Sequence, residues 1–300
     1  MNLKHLLMLG LATASLLPAQ EANRQVVHQK TEIRLREIAA RTRGALGFVA
    51  LDLTSGERFA LNETLTFPQA SAIKIAILME VYKQAEEGKF KLTDARRIAR
   101  ADKVGGSGIL KHLGDDTVEL SLADLCVLMI VLSDNTATNL LIDLVGLENI
   151  NRTLDALGLP HTRVRRRMLD TAASWRGDEN VSTPAEAARI MEILFKGEFQ
   201  NRATCEAILA LLRQTQGGSI QAALPAHIPV AFKPGGIAGV TTEWAIVELP
   251  GRPYVLVVME NYGLETDADT AIKELAVVVH EHFSRLAQAA PHGAYVEKPR

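Results

Sequence analysis

Ser71 and Lys74 are the first residues in the sequence whose types and spacing could do chemistry. They lie three positions apart in SAIKIAILMEVYKQAEEGK, a segment of helix-forming residues, and this spacing puts both side chains on one helix face. A serine hydroxyl is a weak nucleophile until a base removes its proton. A lysine can do so only where burial, a nearby cation or a helix N-terminus lowers its pKa. The pair therefore indicates a nucleophile with its base, or else an N-capping serine beside a solvated lysine.

Two further motifs follow along the chain. Ser133-Asp134-Asn135 separates the apolar helix SLADLCVLMIVL from the helical run TATNLLIDLVG, and on its own it would be an N-cap cluster. Lys233-Pro234-Gly235-Gly236 lies on a predicted strand, and on its own it would be a strand lysine beside a turn. The three motifs occur in the order SxxK, SDN and KxG, at a helix start, an inter-helix loop and a strand, so together they are a specific signal.

With these motifs the chain resembles the catalytic domain of class A β-lactamases, in the superfamily that also contains penicillin-binding proteins. The resemblance covers nearly all of the chain beyond its first twenty residues. It implies that Ser71 attacks a carbonyl to form an acyl-enzyme, with Lys74 as the nearby base. It also implies that Ser133 passes a proton to the leaving nitrogen and that Asn135 orients the substrate and the lysine, while Asp134 is structural.

The same resemblance assigns the substrate-binding strand. Lys233 would favour an anionic substrate and would help to lower the pKa of Lys74. The backbone N–H groups of Ser71 and Gly236 would form an oxyanion hole, with Gly235 next to them on the strand. Glycine at position 236 is expected to permit the close approach of the substrate.

The carboxylate contacts of the family are incomplete in this sequence. Pro234 replaces a threonine or serine whose hydroxyl contacts the substrate carboxylate, and a proline fits a strand mainly at a sheet edge. Many family members carry an arginine on the next strand, where this chain has Thr241, Thr242 and Glu243. Recognition of a penicillin-like carboxylate is therefore expected to differ.

The loop RVRRRMLDTAASWRGDEN departs from the family in its water-binding residues. Family members hold the deacylating water with a glutamate and an asparagine, and counting back from the GDEN segment puts Met168 and Ala172 in those two positions. Asp170 lies two residues from Met168 and is the candidate catalytic group for the water. The alternative is that Asp170 pairs with one of the arginines at 165–167 to hold the loop.

Strand patterns on both sides of a helical block predict the scaffold that positions these motifs. GFVALDLTSGERFALN predicts a hairpin, and PVAFKPGGIAGV, TTEWAIVELP and RPYVLVVMEN predict three later strands. Residues 67–215 are expected to form an all-helical lobe. The expected fold is α/β, of the α+β type: an antiparallel five-stranded sheet from residues 21–66 and 216–290, covered by N- and C-terminal helices, with the functional cleft between the lobes.

Several helix boundaries are also predicted. The N-terminal helix should run from residue 21 to residue 43, with Gly44 as its C-cap. Ser121 and Thr183 should each begin a helix as N-caps. The closing helix should bury an apolar face formed by Ile272, Leu275, Val279 and Phe283.

The first twenty residues indicate where the protein is located, and the overall charge limits which partners it can have. The segment MNLKHLLMLGLATASLLPAQ has the basic start, the short apolar run and the small residues of a signal peptide, cut near Ala19, which predicts a secreted or periplasmic protein. The apolar run is too short for a spanning helix, so no stable membrane insertion is expected after cleavage. A net charge of −2 without a basic stripe argues against a nucleic-acid partner.

No metal or other cofactor is expected from the cysteines and histidines. Cys126 and Cys205 are too few and too far apart in sequence for a metal motif or a disulfide framework. His280 and His282 point to different helix faces and cannot share a metal. A monomer is expected, forming one catalytic domain over residues 21–290 with a flexible tail over residues 291–300.

The expected function is that of an exported serine hydrolase that opens a β-lactam amide through an acyl-Ser71 intermediate. Two alternatives stay open. The missing carboxylate contacts also suit a D-alanyl peptidase or an esterase. The missing glutamate suits a penicillin-binding protein that is acylated without turnover. The partner in each case is a small-molecule or peptidoglycan-like amide or ester.

Overall fold

The computed structural model describes residues 3–290 and 292–295, with side chains described from residue 21 onward. The predicted signal peptide falls where only the backbone of residues 3–20 is described, and the predicted tail lies partly outside the described residues. The strands, in chain order, are β1 (Ala45–Asp52), β2 (Arg58–Leu61), β3 (Phe67–Pro68), β4 (Ala95–Ile98), β5 (Val118–Ser121), β6 (Val181–Ser182), β7 (Val230–Ile237), β8 (Val240–Val247) and β9 (Tyr254–Asn261).

Ten α-helices are described in the same part of the chain. Short 3₁₀ turns precede or connect some of them at Ala70–Ile73, Arg100–Asp102 and Leu110–His112. The helices are α1 (Leu3–Arg41), α2 (Lys74–Glu86), α3 (Leu122–Val131), α4 (Asn135–Val145), α5 (Leu147–Ala156), α6 (Thr171–Trp175), α7 (Pro184–Lys196), α8 (Arg202–Leu212), α9 (Ser219–Ala223) and α10 (Glu265–Gln288). In the part of the chain that the structure describes, no helix is both long and apolar enough to cross a bilayer.

The central sheet is antiparallel throughout, with the strand order β2-β1-β9-β8-β7. This confirms the predicted five-stranded sheet built from both ends of the chain. The predicted hairpin is β1 and β2, in which Val49 pairs with Ala60, and the three later strands are β7, β8 and β9. Strand β7, which carries Lys233, is an edge strand, as a proline at position 234 requires.

Each face of the sheet belongs to a different hydrophobic core. Successive side chains of a strand point to opposite faces. In β9, Tyr254, Leu256 and Val258 pack with α1 and α10, whereas Val255 and Val257 pack with the helical lobe. The predicted apolar face of α10 lies in the first of these cores, and its four members are all buried: Ile272, Leu275, Val279 and Phe283.

The helical lobe contains two small sheets, so the prediction that it is all-helical is wrong in this respect. Strand β3 pairs with β6 and strand β4 pairs with β5. The pairing of β3 with β6 joins Phe67 to Ser182, residues too far apart in sequence for a local pattern to reveal. In β4, residues 95–97 are exposed and only Ile98 is buried, so the strand has no apolar alternation to read.

Helix ends agree with the sequence at two positions and disagree at a third. Ser121 caps α3 in a capping box with Asp124, and Thr183 caps α7, as predicted. Gly44 is not the C-cap of α1, which ends at Arg41. A Cβ atom on Gly44 would lie 2.4 Å from Glu260 Oε1, so the glycine is required by contact with β9 and not by a helix end.

Gln69 joins the two lobes directly before the Ser71 turn. Its buried side chain donates from Nε2 to Phe67 O at 2.8 Å, and its Oε1 accepts from the indole N–H of Trp244 at 2.9 Å. Its backbone oxygen accepts from the Thr242 hydroxyl at 3.1 Å. Gln69 therefore fixes the Ser71 turn to β8.

The Gln69→Ala substitution should lower the free energy of unfolding by about 2–4 kcal/mol, because it opens a cavity and leaves the buried Trp244 N–H without its acceptor. Gln214→Ala is the matched control, since Gln214 is exposed and its loss should cost less than about 0.5 kcal/mol. Urea unfolding of both variants checks this. Equal stability of the two variants would contradict the assigned role of Gln69.

Candidate active site

Ser71 lies in a 3₁₀ turn at Ala70–Ile73, directly before α2 begins at Lys74. The preceding residue, Ala70, has a φ of 43°, a left-handed backbone conformation that costs about 1–3 kcal/mol and is typical of functional sites. Ser71 lines a cleft of about 540 Å³. Among the described residues its hydroxyl has no hydrogen-bond partner, so it is free to meet a ligand in the cleft.

Lys74 lies behind Ser71 and is fully buried. Its Nζ contacts Ser133 O at 2.7 Å, Ser133 Oγ at 3.1 Å and Asn135 Oδ1 at 3.0 Å. The structure thus brings the first and second motifs together, with Asn135 orienting the lysine. No hydrogen bond joins Lys74 to Ser71 among the described residues, and such catalytic contacts often tighten only when substrate binds.

Ser133 is shared by the two lysines. Lys233 Nζ lies 3.1 Å from Ser133 Oγ, the same distance as Lys74 Nζ on the other side. Ser133 has a φ of 54°, a second strained residue that the surrounding contacts must hold in place. The three motifs therefore converge on one hydroxyl group.

The two lysines have depressed pKa values because they are buried close together. Burial, followed by the positive charge of Lys233, lowers the pKa of Lys74 well below its usual value, and Asp134 opposes this weakly. Burial lowers the pKa of Lys233 to about 7, although Glu243 opposes the shift. Each lowered pKa favours the neutral amine, whose free lone pair is what a general base requires.

Asp134 anchors the loop that carries Ser133. Its Oδ2 accepts the backbone N–H groups of Ile109 and Leu110 at 2.7 and 2.8 Å, and its Oδ1 caps α4 by accepting from Ala137 N at 3.0 Å. Every one of these contacts is to backbone. Asp134 therefore holds the shape of the loop.

Gly235 is the glycine that the packing of β7 requires. A Cβ atom on Gly235 would lie 2.6 Å from Gln69 O and 2.8 Å from Ser71 N, so β7 packs directly against the Ser71 turn. A Cβ atom on Gly236 would meet no protein atom within 4 Å. The substrate approach and the oxyanion-hole role assigned to Gly236 stay predictions.

Strand β8 places an acidic group where the family often has a basic one. Glu243 is buried, and burial raises its pKa to about 7 against the hydrogen bonds from the backbone of Ile220 and Ser219. Thr241, Thr242 and Glu243 all line the cleft next to Pro234. The β8 residues that line the cleft thus carry two hydroxyls and one buried carboxyl group, with no arginine among the residues that line it.

Met168, which takes the place of the family's glutamate in the loop, is buried. Asn139 on α4 holds its backbone from both sides, accepting from Met168 N at 2.7 Å and donating to Met168 O at 3.2 Å. A thioether cannot take a proton from water. The loop is therefore fixed to the helical lobe at a residue that has no acid–base function.

Asp170 is an exposed N-cap of α6. Its Oδ1 accepts from Ala173 N at 2.9 Å, and it is not among the residues that line the Ser71 cleft. The neighbouring arginines have other partners: Arg166 pairs with Glu179 at 2.7 Å and Arg167 with Asp143 at 3.0 Å. The alternative that Asp170 pairs with one of them is not observed.

Sequence reasoning did not single out Gln69, Asn139 or the Thr215–Gly217 segment. The first two are buried polar residues on or next to helices, and such residues are conspicuous only once burial is known. The Thr215–Gly217 segment lines the same cleft as Ser133. Its only signal in the sequence was the Gln-Gly-Gly turn before the third motif.

Comparison with known proteins agrees with this arrangement. A family profile described as "Beta-lactamase enzyme family" matches residues 30–283. The chain belongs to this β-lactamase family. It is 26% identical to β-lactamase CARB-3 of Pseudomonas aeruginosa, over 93% of this chain and 96% of that protein. It is 30% identical to β-lactamase OXY-2 of Klebsiella oxytoca, over 75% of this chain and 78% of that protein.

A solved structure supports the fold over most of the chain. The β-lactamase from Sphaerobacter thermophilus superposes with a TM-score of 0.78 and 32% identity, covering 85% of this chain and 97% of that one. The chain is thus a class A β-lactamase-like hydrolase.

The Gly235→Ala substitution should destabilise the fold by about 1–3 kcal/mol, because the new methyl group overlaps the backbone of the nucleophile turn. It should also slow acylation by about 100-fold, since small misplacements of a nucleophile have effects of that size. Gly236→Ala is the matched control and should leave stability unchanged. Thermal unfolding and pre-steady-state acylation kinetics test the two variants. A Gly236→Ala variant that is less stable than Gly235→Ala would contradict the packing of β7 on the Ser71 turn.

The pKa of Lys233 predicts a pH dependence that separates anionic from neutral substrates. Lys233 is charged below about pH 7, so kcat/KM for a penicillin divided by kcat/KM for an uncharged ester should fall as the pH rises through about 7. In Lys233→Arg the ratio should stay flat, because arginine keeps its charge. A wild-type ratio that is constant from pH 6 to 9 would contradict a role for this charge.

Proposed function

We propose that the protein is an exported serine hydrolase that opens a β-lactam amide through an acyl-Ser71 intermediate. The observation that carries the proposal is the Ser133 hydroxyl, held 3.1 Å from both Lys74 Nζ and Lys233 Nζ. A proton can pass along this chain of groups in either direction. Reversible proton transfer is what the formation and breakdown of a tetrahedral intermediate require.

The chemistry follows from the positions of the side chains. Neutral Lys74 takes the hydroxyl proton of Ser71 as Ser71 Oγ attacks the lactam carbonyl, and the N–H groups of Ser71 and Gly236 stabilise the oxyanion. The C–N bond then breaks, and the leaving nitrogen takes a proton from Ser133. Ser133 regains its proton from Lys74, which is neutral again when the acyl-enzyme has formed.

Hydrolysis of the acyl-enzyme is the step for which the site is least equipped. Met168 stands where the family has its glutamate, and Ala172 where it has its asparagine. A second candidate function is therefore favoured by this observation: a penicillin-binding protein whose acyl-enzyme clears slowly. Both functions share the acylation chemistry and differ only in the lifetime of the adduct.

Asp170 remains the proposed acid or base for the deacylating water. One of its oxygens is used to cap α6, and in its exposed position the other can bind solvent. Asparagine caps a helix about as well as aspartate but cannot accept a proton. Asp170→Asn therefore separates the catalytic role from the capping role.

Export is proposed from the segment at residues 1–20. The basic start, apolar run and small residues near Ala19 are typical of a signal peptide. Expression of the full chain in a bacterial host, followed by fractionation and N-terminal sequencing, should yield a periplasmic or secreted product that begins near residue 20. A cytoplasmic product with an intact N-terminus would contradict export.

Intact-protein mass spectrometry during exposure to benzylpenicillin tests the central proposal. The wild type should gain one penicilloyl group on Ser71, and Ser71→Ala should gain none. If Asp170 handles the water, Asp170→Asn should accumulate the adduct that the wild type clears. If Asp170 is only a cap, Asp170→Asn should match the wild type and Asp170→Ala alone should lose stability, by about 1 kcal/mol.

Met168→Glu supplies the complementary gain-of-function test. By the family resemblance, a glutamate at this position would hold the deacylating water, so the adduct should disappear faster than in the wild type, whereas Met168→Gln should not accelerate its loss. An adduct on Ser71→Ala, or no adduct and no turnover in the wild type, would overturn the acyl-Ser71 proposal. Release of D-alanine from a peptide substrate without penicillin turnover would favour the peptidase alternative.

A further inference from the structure

A second cluster of chemically capable side chains lies at the opposite edge of the sheet from β7. His28 on α1, Glu57 in the turn between β1 and β2, and His282 on α10 meet there. His28 Nδ1 lies 2.9 Å from Glu57 Oε1, and His282 Nε2 lies 2.8 Å from the same oxygen. The three ligand atoms are all within 4.8 Å of one another.

We propose that His28, Glu57 and His282 form a binding site for a zinc-class divalent metal ion. Two imidazole nitrogens and one carboxylate oxygen are a donor set that zinc uses in proteins, with a fourth position for water or another ligand. Tetrahedral bonds of about 2.0–2.1 Å require donor atoms about 3.3 Å apart. The two N···O distances here are therefore only a few tenths of an ångström short of that spacing.

The ring of His282 is held as a metal-bound histidine usually is. Its Nδ1 lies 2.9 Å from Thr31 Oγ1, and Thr31 Oγ1 lies 3.1 Å from Val27 O. If Nδ1–H donates to Thr31 and the Thr31 hydroxyl donates to Val27 O, every polar atom in this run of hydrogen bonds has a partner. The Nε2 lone pair then points into the cluster, in the outer-shell arrangement that fixes metal-binding histidines.

Without a metal ion, Glu57 Oε1 is the shared acceptor of two imidazole N–H groups, from His28 Nδ1 and His282 Nε2. The side chain of His282 is 1% exposed. A metal ion would replace this shared acceptor, because it accepts both nitrogen lone pairs and binds the carboxylate directly.

The remaining surroundings leave access and balance the charge. The ring of His28 stacks on Phe59 with centroids 4.2 Å apart, which fixes its direction. A cavity of about 860 Å³ borders His28 and Glu57, giving solvent a path to the fourth position. Arg252 Nη1 lies 3.9 Å from Glu57 Oε2, but it is already paired with the buried carboxylate of Asp52.

The site escaped the sequence because its members are far apart along the chain. His280 and His282 do point to different surroundings, as expected: His280 Nδ1 lies 3.2 Å from the Tyr254 hydroxyl. The partner of His282 is His28, which lies 254 positions earlier. A metal ion here would tie α1, the hairpin turn and α10 together, far from the Ser71 chemistry.

Zinc binding to the apo protein tests the proposal. After treatment with a chelator and dialysis against Zn²⁺, elemental analysis should find one zinc per chain, and Tm should rise by about 5 °C or more at zinc concentrations 100-fold above Kd. Co²⁺ in place of zinc should give the visible absorption of a low-coordinate site. His28→Gln and Glu57→Gln should lose the bound metal and both signals.

Two further variants separate a built site from surface binding and from misfolding. Thr31→Val, which removes only the outer hydroxyl, should raise the zinc Kd by about 10–100-fold. His227→Gln, at an exposed histidine, should bind as the wild type does. Circular dichroism should show that each variant is folded. Wild-type zinc binding in folded His28→Gln or Glu57→Gln, or no zinc on the wild type, would overturn the proposal.

Discussion

The hydroxyl of Ser133, held between two buried lysines, is the interaction on which the rest of the active site depends. Because Lys74 Nζ and Lys233 Nζ are each 3.1 Å from it, two full charges there would repel by about 3 kcal/mol at an effective dielectric constant of 20. Burial adds a larger cost to each charge. The site is therefore stable with one lysine neutral, and the neutral lysine is the base that a serine nucleophile needs.

Contacts in the surrounding structure hold the strained backbone of the active site in place. Both Ala70 and Ser133 have positive φ angles, and such strained residues persist only where surrounding contacts fix them. Asp134 holds the Ser133 loop through backbone N–H groups, and Gly235 lets β7 press on the Ser71 turn. Gln69 links that turn to β8. The residues proposed for acylation thus lie at the interface between the lobes, whereas Asn139 fixes the loop at Met168 to the helical lobe.

Local patterns in the sequence were sufficient for the sheet and for the helix starts at Ser121 and Thr183, because strand alternation and capping act between near neighbours. They were insufficient where the role of a residue depends on a contact with a residue far away in the sequence. The sequence pattern predicts Gly44 as a helix end, whereas the glycine is required by its contact with Glu260. Strand β3 forms because it pairs with β6. No local pattern shows whether Asp170 is a helix cap or a catalytic base. No local pattern shows that His28 lies close to His282.

The pKa of Lys74 is the quantity that tests this account most directly. NMR of protein labelled at lysine Cε, assigned with Lys74→Met and Lys233→Met, would follow each amine as a function of pH. The account predicts that the pKa of Lys74 lies well below the ordinary lysine value, that Lys233 titrates near 7, and that Lys233→Met raises the pKa of Lys74. Two lysines that both titrate near the ordinary value of about 10.4 would contradict it.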